Sequence, residues 1–385
     1  MPNLLLLILL TAFPALSTDM YLPALPTLQQ LWHISMAQAN MSLIAFFAVF
    51  SLFLLVHGPL SDRFGRRPVL IWGIALYVAG SMLCAAAPSI TLLVCARIVQ
   101  AVGAAAAAAL ALALAKDLYE GMERQKVLAY IGVLLPLCPM VAPMFGGWML
   151  QVMSWRTIFL CQGLLALPAL YGTLRLKEPV TVKTTGGALS VMKRYAVVLR
   201  NRRFLVYTFS FSVMVIGFSA FIAGSADIYV SGFGVSEQVY GLYFGFNALA
   251  LMLGSLLCSR LCVDFSPTRI LHFSLAGMLT SGAALVLTSG ATPILFALPM
   301  FGISFCLGLS RPLSNHMTLE TVDTDVGSAS SLLTFVFSTC GVLAMTFISL
   351  DWDSKPAIIG RMAMAGAAVP LVSLLLTGRR GPHKG

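Results

Sequence analysis

The chain has 385 residues, of which 59% are hydrophobic and only 10% are charged, whereas soluble domains carry about 25% charged residues. Its formal net charge of +10 would suggest a nucleic-acid partner in a soluble protein. Here the basic residues fall between long apolar runs, where they set membrane orientation instead. Composition therefore excludes a soluble domain and a nucleic-acid partner, and leaves an all-α, polytopic membrane protein.

A span needs about 20 residues to cross the hydrocarbon core, and twelve apolar runs qualify. In the first half they lie near 4–26, 39–58, 68–87, 90–113, 127–150 and 155–175; in the second, near 203–224, 238–258, 268–289, 291–312, 326–349 and 357–377. The run from Leu4 to Leu16 lacks the basic n-region and the small-residue cleavage site of a signal peptide, so it reads as the first span. This organisation predicts a bundle over 1–175, a polar linker over 176–201 with a short surface helix near Leu189–Leu199, and a second bundle over 202–385.

The first span holds Leu16-Ser17-Thr18-Asp19-Met20-Tyr21-Leu22-Pro23-Ala24-Leu25-Pro26. An ionised Asp at bilayer depth costs ~2.5–3.5 kcal/mol even on lenient scales, so it faces a cavity or a partner. Arg97 is the cation expected inside the fourth span. Span one runs outward and span four inward, which places Asp19 about 12 Å and Arg97 about 10 Å below the outer surface. Two opposite charges at matched depth neutralise each other, or separate when a proton or ligand intervenes. Gln100 lies one turn beyond Arg97 on the same face, positioned to hold Arg97 or substrate.

Span five carries Pro136, Pro139 and Pro143 followed by Gly146-Gly147. The prolines remove helix hydrogen bonds and the glycines admit a neighbouring helix, so a kinked, closely packed segment is expected. Asp227, in the seventh span beside Tyr229, is either a second cation or proton site or a solvated helix end. Tyr21, Tyr130, Phe221, Tyr243 and Asn247 are candidate pocket walls, because apolar ligands want aromatic surfaces with few polar anchors. Asn315, His316 and Glu320 follow the tenth span and read as a solvated loop.

The eight cysteines lie almost all in apolar runs without a CxxC pair, which reads as small buried side chains rather than disulfides or metal ligands. No phosphate-binding G-x-x-x-x-G-K-[ST], HExxH or G-x-S-x-G pattern occurs. ATP hydrolysis, enzymatic chemistry and a cofactor are accordingly not expected. With the N-terminus inside, the inner loops and tail collect Arg63, Arg66, Arg67, Lys116, Arg124, Lys126, Arg260, Arg269 and Arg311 with the linker and tail basics, against Arg156, Lys355 and Arg361 outside. Both termini are expected in the cytoplasm.

The halves echo each other: Asp19 and the turn Ser61-Asp62-Arg63-Phe64-Gly65-Arg66-Arg67 recur as Asp227 and the turn from Ser259 to Arg269. Such a parallel repeat fits a two-bundle transporter with substrate at the midplane. Gly58-Pro59-Leu60-Ser61-Asp62-Arg63-Phe64-Gly65-Arg66-Arg67 resembles the loop signature of the major facilitator superfamily. The Asp19-to-Pro26 stretch, the segment around Arg97 and the Gly327-to-Ser331 start of span eleven resemble the bicyclomycin-resistance (Bcr/CflA) drug exporters, a group that includes amphenicol exporters. Span five resembles the superfamily's antiporter signature, with Ala142 and Cys138 where Gly is usual, and Ala101 likewise replaces a Gly after Gln100.

The resemblance implies two pseudo-symmetric six-helix bundles and a drug:proton antiporter of the bacterial inner membrane, acting on a small amphipathic compound by alternating access, as a monomer. It makes Asp19 and Arg97 the coupling pair. The cycle expected for that pair has a proton on Asp19 driving substrate release in the inward-facing state, with outward-facing deprotonation restoring the site. It also makes Gly58, Asp62, Arg63, Arg66, Arg67, Pro136, Pro139, Pro143, Gly146 and Gly147 gating residues, with Asp62 latching onto the amides of Gly327 and Ser328. The alternatives are an exporter of a metabolite or sugar derivative, a non-transporting scaffold, or an intramembrane enzyme.

Overall fold

The computed structural model describes residues 3–179, 188–322 and 325–378. The helices are α1 (Leu4–Asp19), α2 (Leu25–Trp32), α3 (Met36–Phe64), α4 (Arg66–Ala86), α5 (Ile90–Leu118), α6 (Gly121–Val152), α7 (Trp155–Arg175), α8 (Ala188–Arg200), α9 (Arg202–Ser212), α10 (Ile216–Ala226), α11 (Glu237–Asp264), α12 (Pro267–Thr288), α13 (Pro293–Leu319), α14 (Val326–Ile348) and α15 (Lys355–Gly378). Among the described residues twelve segments are long and apolar enough to cross a membrane, the first being α1 with α2 and the seventh running from Arg202 to Gly232. Each of the twelve apolar runs becomes one of them. Among the described residues the eight cysteines form no disulfide.

Polar residues start the helices. Ser35 closes a capping box with Gln38 at α3, and Ser89, Ser154, Asn201 and Thr292 cap α5, α7, α9 and α13, each satisfying an amide that the first turn leaves without a partner. Helices also run further than the apolar runs do. Asp62 and Arg63 belong to the last turn of α3, and the turn to α4 is Gly65 alone, at φ 107°. Likewise Asn315 and His316 are helical in α13 rather than looped, with His316 Nε2 3.1 Å from Glu320. Arg311, counted above among inner-loop cations, is also inside α13, and its guanidinium lies 3.3 Å from the centre of the Phe337 ring. Backbone hydrogen bonding carries a helix through polar residues, so hydropathy understates helix length.

The chain forms two compact units, Met1–Val191 with Ser225–Gly245, and Met192–Gly224 with Phe246–Gly385. In the first, small residues set the packing, as expected where lipid removes the hydrophobic drive between helices. A Cβ on Gly103 of α5 would strike the Gly73 carbonyl and the Tyr77 amide of α4, and one on Gly80 would meet the Gln100 backbone at 2.5 Å. The span-five glycines behave the same way, Gly146 against the Met20 carbonyl and Gly147 against that of Glu237. Gly241 and Gly245 of α11 bring that helix's first turns onto Met144 and Met140 of α6, each at 2.8 Å for an added Cβ, which explains why Ser225–Gly245 packs with the first unit. The second unit uses the same device, with Gly282 of α12 against Gly360 of α15 and Gly308 of α13 against Leu251 of α11.

Not every glycine is structural. Gly58, expected to act in gating, has nothing within 4 Å of an added Cβ. Gly103→Val should therefore cost about 3 kcal/mol or more through overpacking, and Gly58→Ala should leave the melting temperature unchanged. Melting of the two purified variants checks the contrast.

Candidate intramembrane charge site

The site begins with a helix break. Pro23 has no N–H for the Asp19 carbonyl and Pro26 none for that of Leu22, so α1 cannot continue. It stops at Asp19 and resumes as α2 after a 3₁₀ turn over Leu22–Ala24. Non-helical backbone at membrane depth is tolerated where protein buries it, and here Gly146 supplies a close wall against Met20. The seventh span departs from α geometry at the matching place, with a π-helical turn over Asp227–Gly232. Asp227 is half-buried within that turn rather than at a solvated helix end.

Asp19 is 6% exposed. Its Oδ1 accepts from the Thr18 hydroxyl at 3.1 Å, and among the described residues no cation lies within ion-pairing distance of it. The Asp19–Arg97 pair expected from matched depth is thus not closed. Arg97 is nonetheless beside the break: its Nη1 donates to the Ser17 carbonyl at 2.8 Å and to Gln100 Oε1 at 2.6 Å. The guanidinium is fully buried among aromatic rings, 4.1 Å from the Phe46 centroid, 5.2 Å from Tyr21 and 5.7 Å from Phe159. Three cation–π faces offset part of its desolvation. Its Nε and Nη2 have no hydrogen-bond partner among the described residues.

Gln100 is the hub of a buried amide network. Its Nε2 donates to Ser81 Oγ and to Gln162 Oε1, both at 2.9 Å, and Gln162 in turn donates to the Leu16 carbonyl at 3.0 Å. Ser17 Oγ and the Tyr77 hydroxyl meet at 2.7 Å. Helices α1, α4, α5 and α7 are therefore tied together at one level by side-chain hydrogen bonds, and the tie fixes Arg97. Sequence reasoning singled out Gln100 but missed Gln162, Ser17, Ser81, Tyr77 and the Phe46–Phe159 walls. Gln162 had a signal: it is the only amide side chain in the apolar stretch Ile158–Leu170.

The remaining candidates scatter. Tyr21 is fully buried and shares a 2.8 Å hydrogen bond with Ser42, so it walls Arg97 rather than an open pocket. Tyr243 stacks on Tyr229 at 4.7 Å, in a cluster where the Tyr240 hydroxyl meets Ser225 at 3.0 Å. Tyr130 on α6 is half exposed. In the second unit, Phe221 is buried with its ring 6.1 Å from that of Phe296, and Asn247 accepts from Ser304 at 2.6 Å while its Nδ2 lacks a partner. Pro136, Pro139 and Pro143 all sit within the unbroken α6.

At the far end of α3, Arg66 bridges Asp62 and Asp117, the latter at 2.9 Å. Glu178 accepts from the Arg66 and Arg67 amides at 2.8 and 3.0 Å, capping α4 where helix-end amides favour an anion. Arg67 also donates to the Leu174 carbonyl at 2.8 Å, and Arg63 lies over Phe64 at 5.2 Å. The signature turn is thus a small ion network tying α3 and α4 to the end of α5 and the segment after α7. Residues 7–345 match the model of the Major Facilitator Superfamily. The chain belongs to that superfamily.

Within the superfamily, the chain is 29% identical over 377 residues to the uncharacterized MFS-type transporter YdgK of Bacillus subtilis, covering 94% of each. It is 27% identical over 389 residues to a bicyclomycin resistance protein homolog of Haemophilus influenzae, covering 98% of this chain and 96% of that protein. A chloramphenicol resistance protein of Pseudomonas aeruginosa is 28% identical over 273 residues, 71% of this chain and 64% of its own. Among solved structures, a D-xylose-proton symporter superposes with a TM-score of 0.74 at 17% identity, covering 95% and 96% of the two chains. At that identity the likeness speaks for the fold, a twelve-span superfamily architecture of two six-helix halves.

Proposed function

We propose that the protein exports small amphipathic, drug-like compounds in exchange for protons. It does so as a monomer without a cofactor, in the bacterial inner membrane, with both termini cytoplasmic and six-helix bundles over 1–175 and 202–385. The observation that carries this reading is the charge site: a buried carboxyl without a cation beside a buried guanidinium with two unused donors. Unsatisfied buried donors cost about 1–3 kcal/mol each, a cost repaid when an acceptor arrives during the cycle. The resistance functions in the names of similar proteins support a drug as cargo.

Thermodynamics fixes the order of the proton steps, and it is the reverse of the one read from sequence. Export driven by inward proton flow requires Asp19 to take its proton, and release cargo, when the site is open outward. It must lose the proton, and admit new cargo, when open inward. One proton moving down 100 mV supplies about 2.3 kcal/mol, or about a fifty-fold gradient. Tyr21, Gln100, Tyr130, Phe221, Tyr243, Asn247 and Asp227 are proposed to line or position the cargo path, and Gly58, Asp62, Arg63, Arg66, Arg67, Pro136, Pro139, Pro143, Gly146 and Gly147 to serve the conformational change.

Two experiments test this. A susceptibility panel in an efflux-deficient bacterial host should show raised resistance to at least one compound, and proteoliposomes given a pH gradient should move protons when that compound is added; compound movement without protons would overturn antiport. For the gate, Asp62→Ala should insert normally yet increase inward-open accessibility in cysteine cross-linking, and equal accessibility to wild type would remove Asp62 from the latch.

A further inference from the structure

Between α1, α6 and α7 lies a lateral groove of about 690 Å³. Leu16 and Met20 form its floor, Val141, Ala142 and Trp148 one wall, and Leu164 the other. Apart from two thiols and the indole N–H of Trp148, every side chain lining it is apolar. Its rim is open, with Phe145 56%, Trp148 55% and Leu164 59% exposed, and all three helices belong to membrane-spanning segments. The liquid at this rim is therefore hydrocarbon.

Three arguments decide what fills it. Water needs two to four polar partners to occupy a cavity, and these walls offer only two weak thiols and one indole N–H. An empty groove leaves its lining atoms without dispersion partners. A drug-like cargo needs a few convergent polar groups for recognition, and neither Asp19 nor Arg97 is among the lining residues. From Cys138 to Met153 the wall on α6 is about 22 Å long at 1.5 Å per residue, more than the roughly 15 Å of hydrocarbon in one leaflet. The shape suits an extended alkyl chain lying along the helices.

We propose that this groove binds one acyl chain of a membrane phospholipid, which stays with the protein as a structural partner. The chain lies against Met20, the residue after Asp19, and keeps water from that flank of the helix break.

The test is native mass spectrometry of the full-length protein, extracted in mild detergent from membranes of phosphatidylethanolamine and phosphatidylglycerol. Wild type should carry a single bound phospholipid, and Ala142→Phe, which fills the groove from its α6 wall, should lower that occupancy about tenfold or more. Cys161→Phe fills it from α7 and guards against misfolding of the first variant; both must elute as monodisperse protein. Phospholipid-free wild type, or equal occupancy in a monodisperse filled variant, overturns the proposal. So does loss of the bound lipid upon adding an exported compound that binds wild type but not the filled variants, since the groove would then be a cargo site.

Discussion

Asp19→Asn should insert and fold but bind cargo more weakly, as the protonated state does, and the accumulation ratio it sustains should fall from about fifty-fold per 100 mV to unity. The reason is local. Asp19 is 6% exposed and accepts a hydrogen bond from Thr18, with no cation beside it among the described residues, so the side chain is stable when neutral and costly when charged unless a cation or cargo compensates. Asn keeps the size and the acceptor of the neutral form but cannot release a proton. Packing around the break is carried by Pro23 and by Gly146 against Met20, neither of which the substitution touches. At saturating cargo, counterflow without a gradient should persist in Asp19→Asn proteoliposomes while pH-driven uphill transport disappears; uphill transport by the variant would remove Asp19 from the coupling step.

The second large effect is expected from a charge-conserving change. Arg97→Lys keeps the positive charge, but a lysine has neither the planar fork nor the stacking face of a guanidinium. In this site the plane matters, because one nitrogen reaches both Ser17 and Gln100 while the carbon lies over Phe46 at 4.1 Å. Losing one hydrogen bond to a charged group costs about 1.5–3 kcal/mol, so transport should fall by about 10–100-fold. Expression and melting should change far less than for Arg97→Leu, which leaves Gln100 Oε1 only the Cys84 thiol at 4.0 Å as a donor. Initial export rates of the two variants, normalised to purified monodisperse protein, check this ordering.

The fold was readable from hydropathy because a span announces itself by about 20 apolar residues, and each expected run became a membrane span, the first and seventh of them broken into more than one helix. What hydropathy does not carry is where a helix ends. Asp62, Asn315, His316 and Arg311 are polar yet helical, since termini follow Gly65 and capping geometry rather than polarity. The charge site was half legible. Asp19, Arg97 and Gln100 stand out because polar groups at bilayer depth are expensive. That they would not close an ion pair was not legible, because the choice between Asp19 and an aromatic box depends on Phe46 and Phe159, apolar residues indistinguishable in sequence from packing. Gln162 and Glu178 were visible as residues but not as partners, being 62 positions from Gln100 and 112 from Arg66.

The central claim is that cargo and a proton compete for the neighbourhood of Asp19. The most direct measurement is proton release by detergent-purified protein on addition of an exported compound, followed in weak buffer across pH 5 to 9 with a pH-indicator dye. Wild type should release close to one proton per bound compound in part of that range, and Asp19→Asn, which mimics the protonated state, should need more compound to bind and release no proton even when saturated. Equal release from both proteins, or binding to wild type without release at any pH, would contradict the account.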